Sequence, residues 1–209
     1  MKNIMILAVW VIVTPMMAQK NIEKKISFSG KESIEMDIQI ADSISIETWN
    51  RTEIQIRASI NLNDNADNDK YETSFNEEAS KVIIKANIIK DYFNNNKCCC
   101  NGMITWKVII PENTPFTIET INGNITVRGK TTEINAKSIS GFIDWEVTPS
   151  RKADLEMKTI TGTMYSDMEL EREKGNNGIP QVISEELNGG GFPVALETIS
   201  GDIFCRKSE

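Results

Sequence analysis

The 209-residue sequence predicts an all-β fold: a single-domain β-solenoid, or β-helix-like stack, of strand–corner–strand repeats, with a short helix around 64–76. Three observations predict it. The phrase Thr/Ser-Ile-x-Gly-x-Ile/Met occurs four times, centred on Gly123, Gly141, Gly162 and Gly201. Apolar and polar residues alternate with the period of a β-strand both upstream of those glycines and through most of residues 26–111. Copies recurring about every 20 residues with strand periodicity are the signature of a solenoid, in which one coil cannot bury its own apolar face but a stack can.

The chain begins MKNIMILAVWVIVTPMMAQ. One early lysine, an apolar run from Ile4 to Ala18 and a small residue at its end have the order of a secretory leader, with cleavage after Ala18. The run is shorter than the roughly 20 residues of a membrane span. The expectation is a signal peptide at 1–18 and one domain at 19–209, exported to the periplasm or cell surface with no stable transmembrane span. No cysteine near the cleavage point offers a lipid-attachment residue. The whole chain carries a net charge of −7, and losing Lys2 leaves it more acidic still. That balance argues against nucleic acid and against anionic lipid headgroups as partners.

Residues 19–111 read as N-terminal strands with a degenerate repeat. ISFSG (26–30), SIEMDIQI (33–40), SISIETW (43–49) and EIQIRASINL (53–62) alternate well, as do 81–89 and 103–111. ISIETWNRTEIQI (44–56) reads as a worn copy of the phrase, with Arg51 in the place of glycine. The stretch 63–80 breaks the rhythm. Asp64 or Asp67 there suits a helix N-cap, with Tyr71 and Phe75 one turn apart on an inner face. Asn61, Asn63, Asn65, Asp67, Asp69 and Glu72 also fall at the ligand positions of a calcium loop. Asparagine at the first position and Ala66 at the sixth depart from that pattern, which favours a capped helix or polar loop over a metal. Asn101-Gly102 is a tight-turn signal, placing the CCCNGM stretch at a hairpin end.

Residues 112–209 hold the regular repeats. Seven residues before each glycine stand Phe116, Ile134, Leu155 and Val194. Five before are Ile118, Ala136, Met157 and Leu196; two after are Ile125, Ile143, Met164 and Ile203. The parity of the apolar positions slips near the glycine, and a one-residue slip turns every side chain over. The chain therefore has to bend there, and glycine tolerates the angles of a corner. On this reading Gly123, Gly141, Gly162 and Gly201 are structural corners, and Ile121, Ile139, Ile160 and Ile199 form a ladder in the core. The glycine spacings of 18, 21 and 39 suggest a further degenerate copy between Glu169 and Gly191.

The four cysteines, Cys98, Cys99, Cys100 and Cys205, are candidates for disulfides in an exported chain. At most one of the three neighbours can reach Cys205, and three connectivities are open. A redox or metal role for the cluster is the weaker reading, because three consecutive thiolates make poor ligand geometry.

Catalytic signatures are missing from the sequence. There is no histidine, so the usual nucleophile–base triad and histidine-ligated zinc have no source. The glycines at 189–191 lead into Phe-Pro rather than into the Lys-Ser/Thr of a phosphate loop. No catalytic, cofactor-binding or metal residue is expected. Carboxylates such as Asp144, Asp167 and Asp202 keep open a glycoside-cleaving pair, and Trp106 and Trp145 are of a type that stacks on sugars, though more often such rings fill a core.

WKVIIPENTPFTIETINGNITV (106–127), followed by SISGFI, TITGTM and TISGDI, resembles the bacterial "putative adhesin" family of unknown function. The likeness covers about residues 40–205. It implies an exported or membrane-associated chain with a β-solenoid-like domain, and brings no defined catalytic or binding residues with it. The CCC cluster and the stretch 169–191 depart from the family pattern. The expected function is a non-enzymatic, adhesin-like binding or structural module at the cell envelope, contacting a protein or glycan through a repetitive β-surface. The alternative is a carbohydrate-active enzyme using a carboxylate pair.

Overall fold

A computed structural model of the chain describes residues 19–95, 102–168, 170 and 180–208. The leader at 1–18, Cys98, Cys99 and Cys100, and most of the stretch 169–179 lie outside the described residues. Among the described residues no helix is long and apolar enough to cross a membrane.

The described chain is all-β. Its strands are β1 (Lys20–Ser27), β2 (Ser33–Ile38), β3 (Ile40–Trp49), β4 (Glu53–Leu62), β5 (Tyr71–Glu77), β6 (Lys81–Ile88), β7 (Gly102–Pro111) and β8 (Phe116–Arg128). They continue as β9 (Ile134–Ser140), β10 (Ile143–Val147), β11 (Ala153–Thr159), β12 (Met164–Ser166), β13 (Gln181–Leu187), β14 (Phe192–Ser200) and β15 (Ile203–Lys207). The long strand β8 belongs to two faces. Its first half lies in the order β5-β6-β2-β8-β9-β14-β11-β13. Its second half lies in the order β1-β4-β7-β3-β8-β10-β15-β12. The inner surfaces of both faces contribute to one hydrophobic core.

Parallel pairing brings equivalent positions of the repeats side by side. Phe116 pairs with Ile134, Ile134 with Val194, and Val194 with Leu155. On the second face Ile44, Ile125, Ile143, Ile203 and Met164 form one continuous row. All of these side chains are buried, and burying each contributes roughly 1.5–3 kcal/mol.

The structure corrects the expected core ladder. Ile121, Ile139 and Ile199 are 47 %, 47 % and 42 % exposed, and Ile160 is half-buried. The inward residue of the phrase is the hydroxyl residue one place earlier: Thr120, Ser138, Thr159 and Thr198 are all buried. The period-2 alternation that puts positions seven and five before the glycine inside continues to position three, so the isoleucine at position two points out. The parity changes only at the residue pair ending in glycine.

Three smaller expectations also change. The worn copy of the phrase is 34–46, not 44–56: Ile40 pairs with Asn122, which aligns Ala41 with Gly123, and an irregularity follows between Ile40 and Ser43. Arg51 lies in the turn between β3 and β4. The repeats do not stack in chain order, because the last one, β14 and β15, inserts between β9–β10 and β11–β12. The excursion before it supplies β13, which runs antiparallel to β11 and is therefore no further parallel copy.

The helix around 64–76 is reduced to one 3₁₀ turn, Asn68–Lys70, and Tyr71 opens strand β5. Asp67 stands at its N-cap position without a side-chain capping bond. Tyr71 and Phe75, four residues apart, share a face in a strand as well as in a helix, so their spacing did not separate the two. Asn63, Asp64 and Asn65 all have positive φ, near 50–70°, a conformation that asparagine and aspartate accept more readily than other side chains. The candidate calcium ligands bond to one another: Asn63 Nδ2 donates to Asp67 Oδ2 at 2.6 Å, and Asn61 Oδ1 accepts from the Asn65 amide at 2.9 Å. Among the described residues no group of three or more acidic, histidine or cysteine side chains is placed to hold a metal.

Candidate functional site: the corners and the outer faces

The four glycines stand over one another. A Cβ on Gly141 would strike the carbonyl of Gly123, one on Gly201 that of Gly141, and one on Gly162 that of Gly201. Only Gly141 of the four has a positive φ, 141°. The requirement for glycine is thus mainly close backbone approach between neighbouring corners rather than an unusual angle.

Stacking at that distance removes corner carbonyls from the regular ladder, and the buried hydroxyls take them up. Ser138 Oγ donates to the Gly123 carbonyl at 3.1 Å, and Thr159 Oγ1 lies 3.1 Å from the Gly201 carbonyl. Thr198 Oγ1 lies 2.7 Å from that same carbonyl and 2.9 Å from Thr159 Oγ1. The worn first corner has Ile38 where the others have a hydroxyl. There the Tyr71 hydroxyl donates to the Ile40 carbonyl at 2.9 Å while accepting the Trp106 indole N–H at 3.0 Å. Burial pushes the Tyr71 phenol well above its ordinary pKa, so it stays a donor.

The corner glycines are therefore brought together, within reach of one another's carbonyls. The isoleucines of the phrase are also brought together, but on the outside. In the spatial order β8-β9-β14-β11 they form a stripe of Ile121, Ile139, Ile199 and Ile160. Beside it runs a row of charge in which Glu197 bridges Lys137 at 3.8 Å and Lys158 at 3.1 Å.

Across the corner, on the second face, stands an aromatic group that the sequence reading missed. The Tyr165 and Phe204 rings stack with centroids 5.1 Å apart, and Phe142 meets Phe204 edge-on at 6.0 Å. Tyr165 is 49 % exposed. The signal was available: these residues occupy outward positions one and three after the glycine. Trp106 and Trp145, the tryptophans weighed as sugar platforms, are core residues instead, each 2 % exposed.

The carboxylates weighed as a catalytic pair serve the framework. Asp144 makes a two-pronged pair with Arg206, its Oδ1 accepting from Nε at 2.8 Å. Asp202 Oδ1 accepts from the Thr163 amide at 2.8 Å, as Asn124 Oδ1 does from the Phe142 amide at 3.1 Å one corner away. Asp167 Oδ2 accepts from the Lys207 amide at 3.3 Å.

Cys205, which has no disulfide partner among the described residues, is buried in the row between Trp145 and Ser166. Burial, aided by the Asp167 and Asp144 carboxylates, pushes its pKa up to about 12. The candidate pairing with Cys98, Cys99 or Cys100 falls on residues outside those described.

The second face also carries a trough of about 430 Å³ over β1, β4, β7 and β3. Asn21, Ser59, Thr105 and Ser43 lie side by side along it in one rung. Glu23, Arg57, Lys107 and Ser45 form the next. These residues come from four strands with no common sequence spacing, so no motif announced them.

No family model matches the sequence, and no curated protein matches it. Comparison with solved structures gives a protein from Clostridium sporogenes described as a "putative cell adhesion protein", at TM-score 0.61 and 12 % identity, covering 91 % of this chain and all of the other. A "putative adhesin" from Bacteroides fragilis is 11 % identical over 91 % of this chain and 98 % of its own, with a TM-score of 0.25. A "putative lipid binding protein" from Parabacteroides distasonis is 12 % identical over 91 % of this chain and 97 % of its own, with a TM-score of 0.27. The last two scores are too low to support an argument. The description of the Clostridium sporogenes protein agrees with the resemblance read from the repeated phrase, and that protein shares the fold of this chain.

Proposed function

We propose that the chain is an exported, non-enzymatic binding module of the adhesin kind, acting at the bacterial cell envelope. Residues 1–18 are its leader, and 19–209 form one β-solenoid-like domain whose repetitive outer surface contacts a protein or glycan. The observation that carries this reading is the stripe of Ile121, Ile139 and Ile199, three large apolar side chains more than 40 % exposed on adjacent strands. Isoleucine at that position adds nothing to the core, and contiguous exposed apolar side chains mark interaction surfaces. The structural bonds made by Asp144, Asp167 and Asp202 leave the carbohydrate-cleaving alternative without a supporting observation.

The test is capture from envelope fractions, comparing the protein with an Ile139→Lys, Ile199→Lys variant of unchanged fold. Specific binding that the variant loses is the expected result. Equal binding by both, or none by either, would overturn the reading.

A further inference from the structure

We propose that the trough on the second face holds a linear, neutral oligosaccharide laid across the strands. The proposal rests on the reading of the chain as a binding module, and assigns to it a site and a ligand class. Three features carry it.

The first is the chemistry of the rung. Asn21, Ser59, Thr105 and Ser43 present one hydroxyl or amide per strand, with Ser59 Oγ already 3.1 Å from Asn21 Oδ1. Such groups both donate and accept, as sugar hydroxyls do. Strands repeat at about 4.8 Å, close to the length of one pyranose in an extended chain, so successive sugars meet equivalent groups.

The second is charge. The cations of the trough each have a carboxylate at hand: Arg57 lies 3.6 Å from Glu23, and Lys107 lies 2.8 Å from Glu47. The trough therefore offers no unbalanced positive charge to an acidic glycan or a nucleic acid. Its outward lining of Asn21, Ser43, Ser45, Ser59 and Thr105 is hydroxyl and amide, with Ile22, Ala58 and Trp106 behind it.

The third is continuity. The rung passes from Ser43 to Asn124 on β8. The next rung runs from Ser45 through Thr126 and Asp144 to Phe204 and Tyr165. The track thus ends at the exposed aromatic group, where C–H faces of a sugar pack on rings. A trough with Ile22, Ala58 and Trp106 behind a few placed polar groups, leading to aromatic rings, matches the composition of small-molecule sites.

The experiment is a panel of immobilised neutral gluco-, xylo- and galacto-oligosaccharides beside uronate and sulfated chains, followed by calorimetry on each chain that binds. The expected result is binding confined to neutral chains. Thr105→Trp, filling the trough from an outward position, weakens it at least about tenfold, and Ser43→Arg does the same by a second route. Tyr165→Ala weakens it less; tenfold corresponds to about 1.4 kcal/mol. Binding only of acidic chains, or binding indifferent to both trough variants, overturns the proposal. Absence of glycan binding with retained, Ile139-dependent capture of an envelope component also overturns it, while leaving the binding-module reading intact.

Discussion

The Thr159 hydroxyl lies 3.1 Å from the carbonyl oxygen of Gly201, a residue 42 positions further along the chain. Thr198 reaches the same oxygen at 2.7 Å. Two hydroxyls from neighbouring repeats thus serve one corner carbonyl, and the phrase Thr-x-Ser/Thr-Gly is the sequence record of that arrangement.

Removing these hydroxyls has unequal effects. Thr159→Val leaves Thr198 able to serve Gly201, so the expected loss is below about 1 kcal/mol. Replacing both residues leaves the carbonyl without its donors and costs about 1–3 kcal/mol more. Urea unfolding of the two single variants and the double variant reads the non-additivity. Additive small losses would show that the carbonyl finds water instead.

Glycine substitutions separate close approach from backbone angle. A Cβ at Gly201 strikes the Gly141 carbonyl, whereas at Gly189 nothing lies within 4 Å although φ is +84°. Gly189→Ala is expected to cost roughly 1–2 kcal/mol from the left-handed angle alone. Gly201→Ala forces neighbouring corners apart and falls among the exceptional losses, above about 4 kcal/mol. Equal thermal shifts in the two variants would contradict the stacked-corner account.

The inverted ladder makes neighbouring isoleucines behave oppositely. Ile139→Ser, on the outer surface, is expected to change stability by no more than about 0.5 kcal/mol. Ile143→Ala, at a fully buried position, is expected to cost about 2–5 kcal/mol. Chemical denaturation of both proteins checks this.

The Cys205 thiol is expected to be inert in the folded protein. With Cys98, Cys99 and Cys100 replaced by serine, a thiol reagent at pH 8 should label Cys205 only after unfolding. Its folded pKa of about 12 exceeds the ordinary 9.0, so the unfolded chain loses this proton first as pH rises. The stability contributed by keeping the thiol neutral is present below about pH 9 and is lost between about pH 9 and 12, with a slope of up to roughly 1.4 kcal/mol per pH unit. Cys205→Ala should flatten that part of the pH profile. Rapid labelling of the native protein would place the thiol at the surface.

Much of the fold was legible because strand periodicity and repetition are local properties. Five of the N-terminal strands, β2, β3, β4, β6 and β7, and the positions five and seven before each glycine were readable from alternation alone. The direction of Ile121 and its equivalents was misread for a physical reason. Alternation carried on from the upstream positions implies that they point outward, but their hydrophobicity suggested the core, which put the slip in parity before them rather than at the glycine. Its partner, a carbonyl on another repeat, is visible only in three dimensions. Strand β5 was missed because residues four apart share a face in both helix and strand.

The sequence by itself determined that the chain is β-structured, that its glycines mark equivalent corners, and that histidine-based catalysis has no residues to work with. The tertiary structure decided which repeat lies beside which, since hydrogen-bond register between distant strands sets the insertion of β14 and β15 between earlier repeats. It alone also decided the outer faces. A stripe such as Ile121–Ile139–Ile199 and a rung such as Asn21–Ser59–Thr105–Ser43 are assembled across strands, perpendicular to the chain. Pairing between strands, rather than order along the chain, is what brings their side chains together.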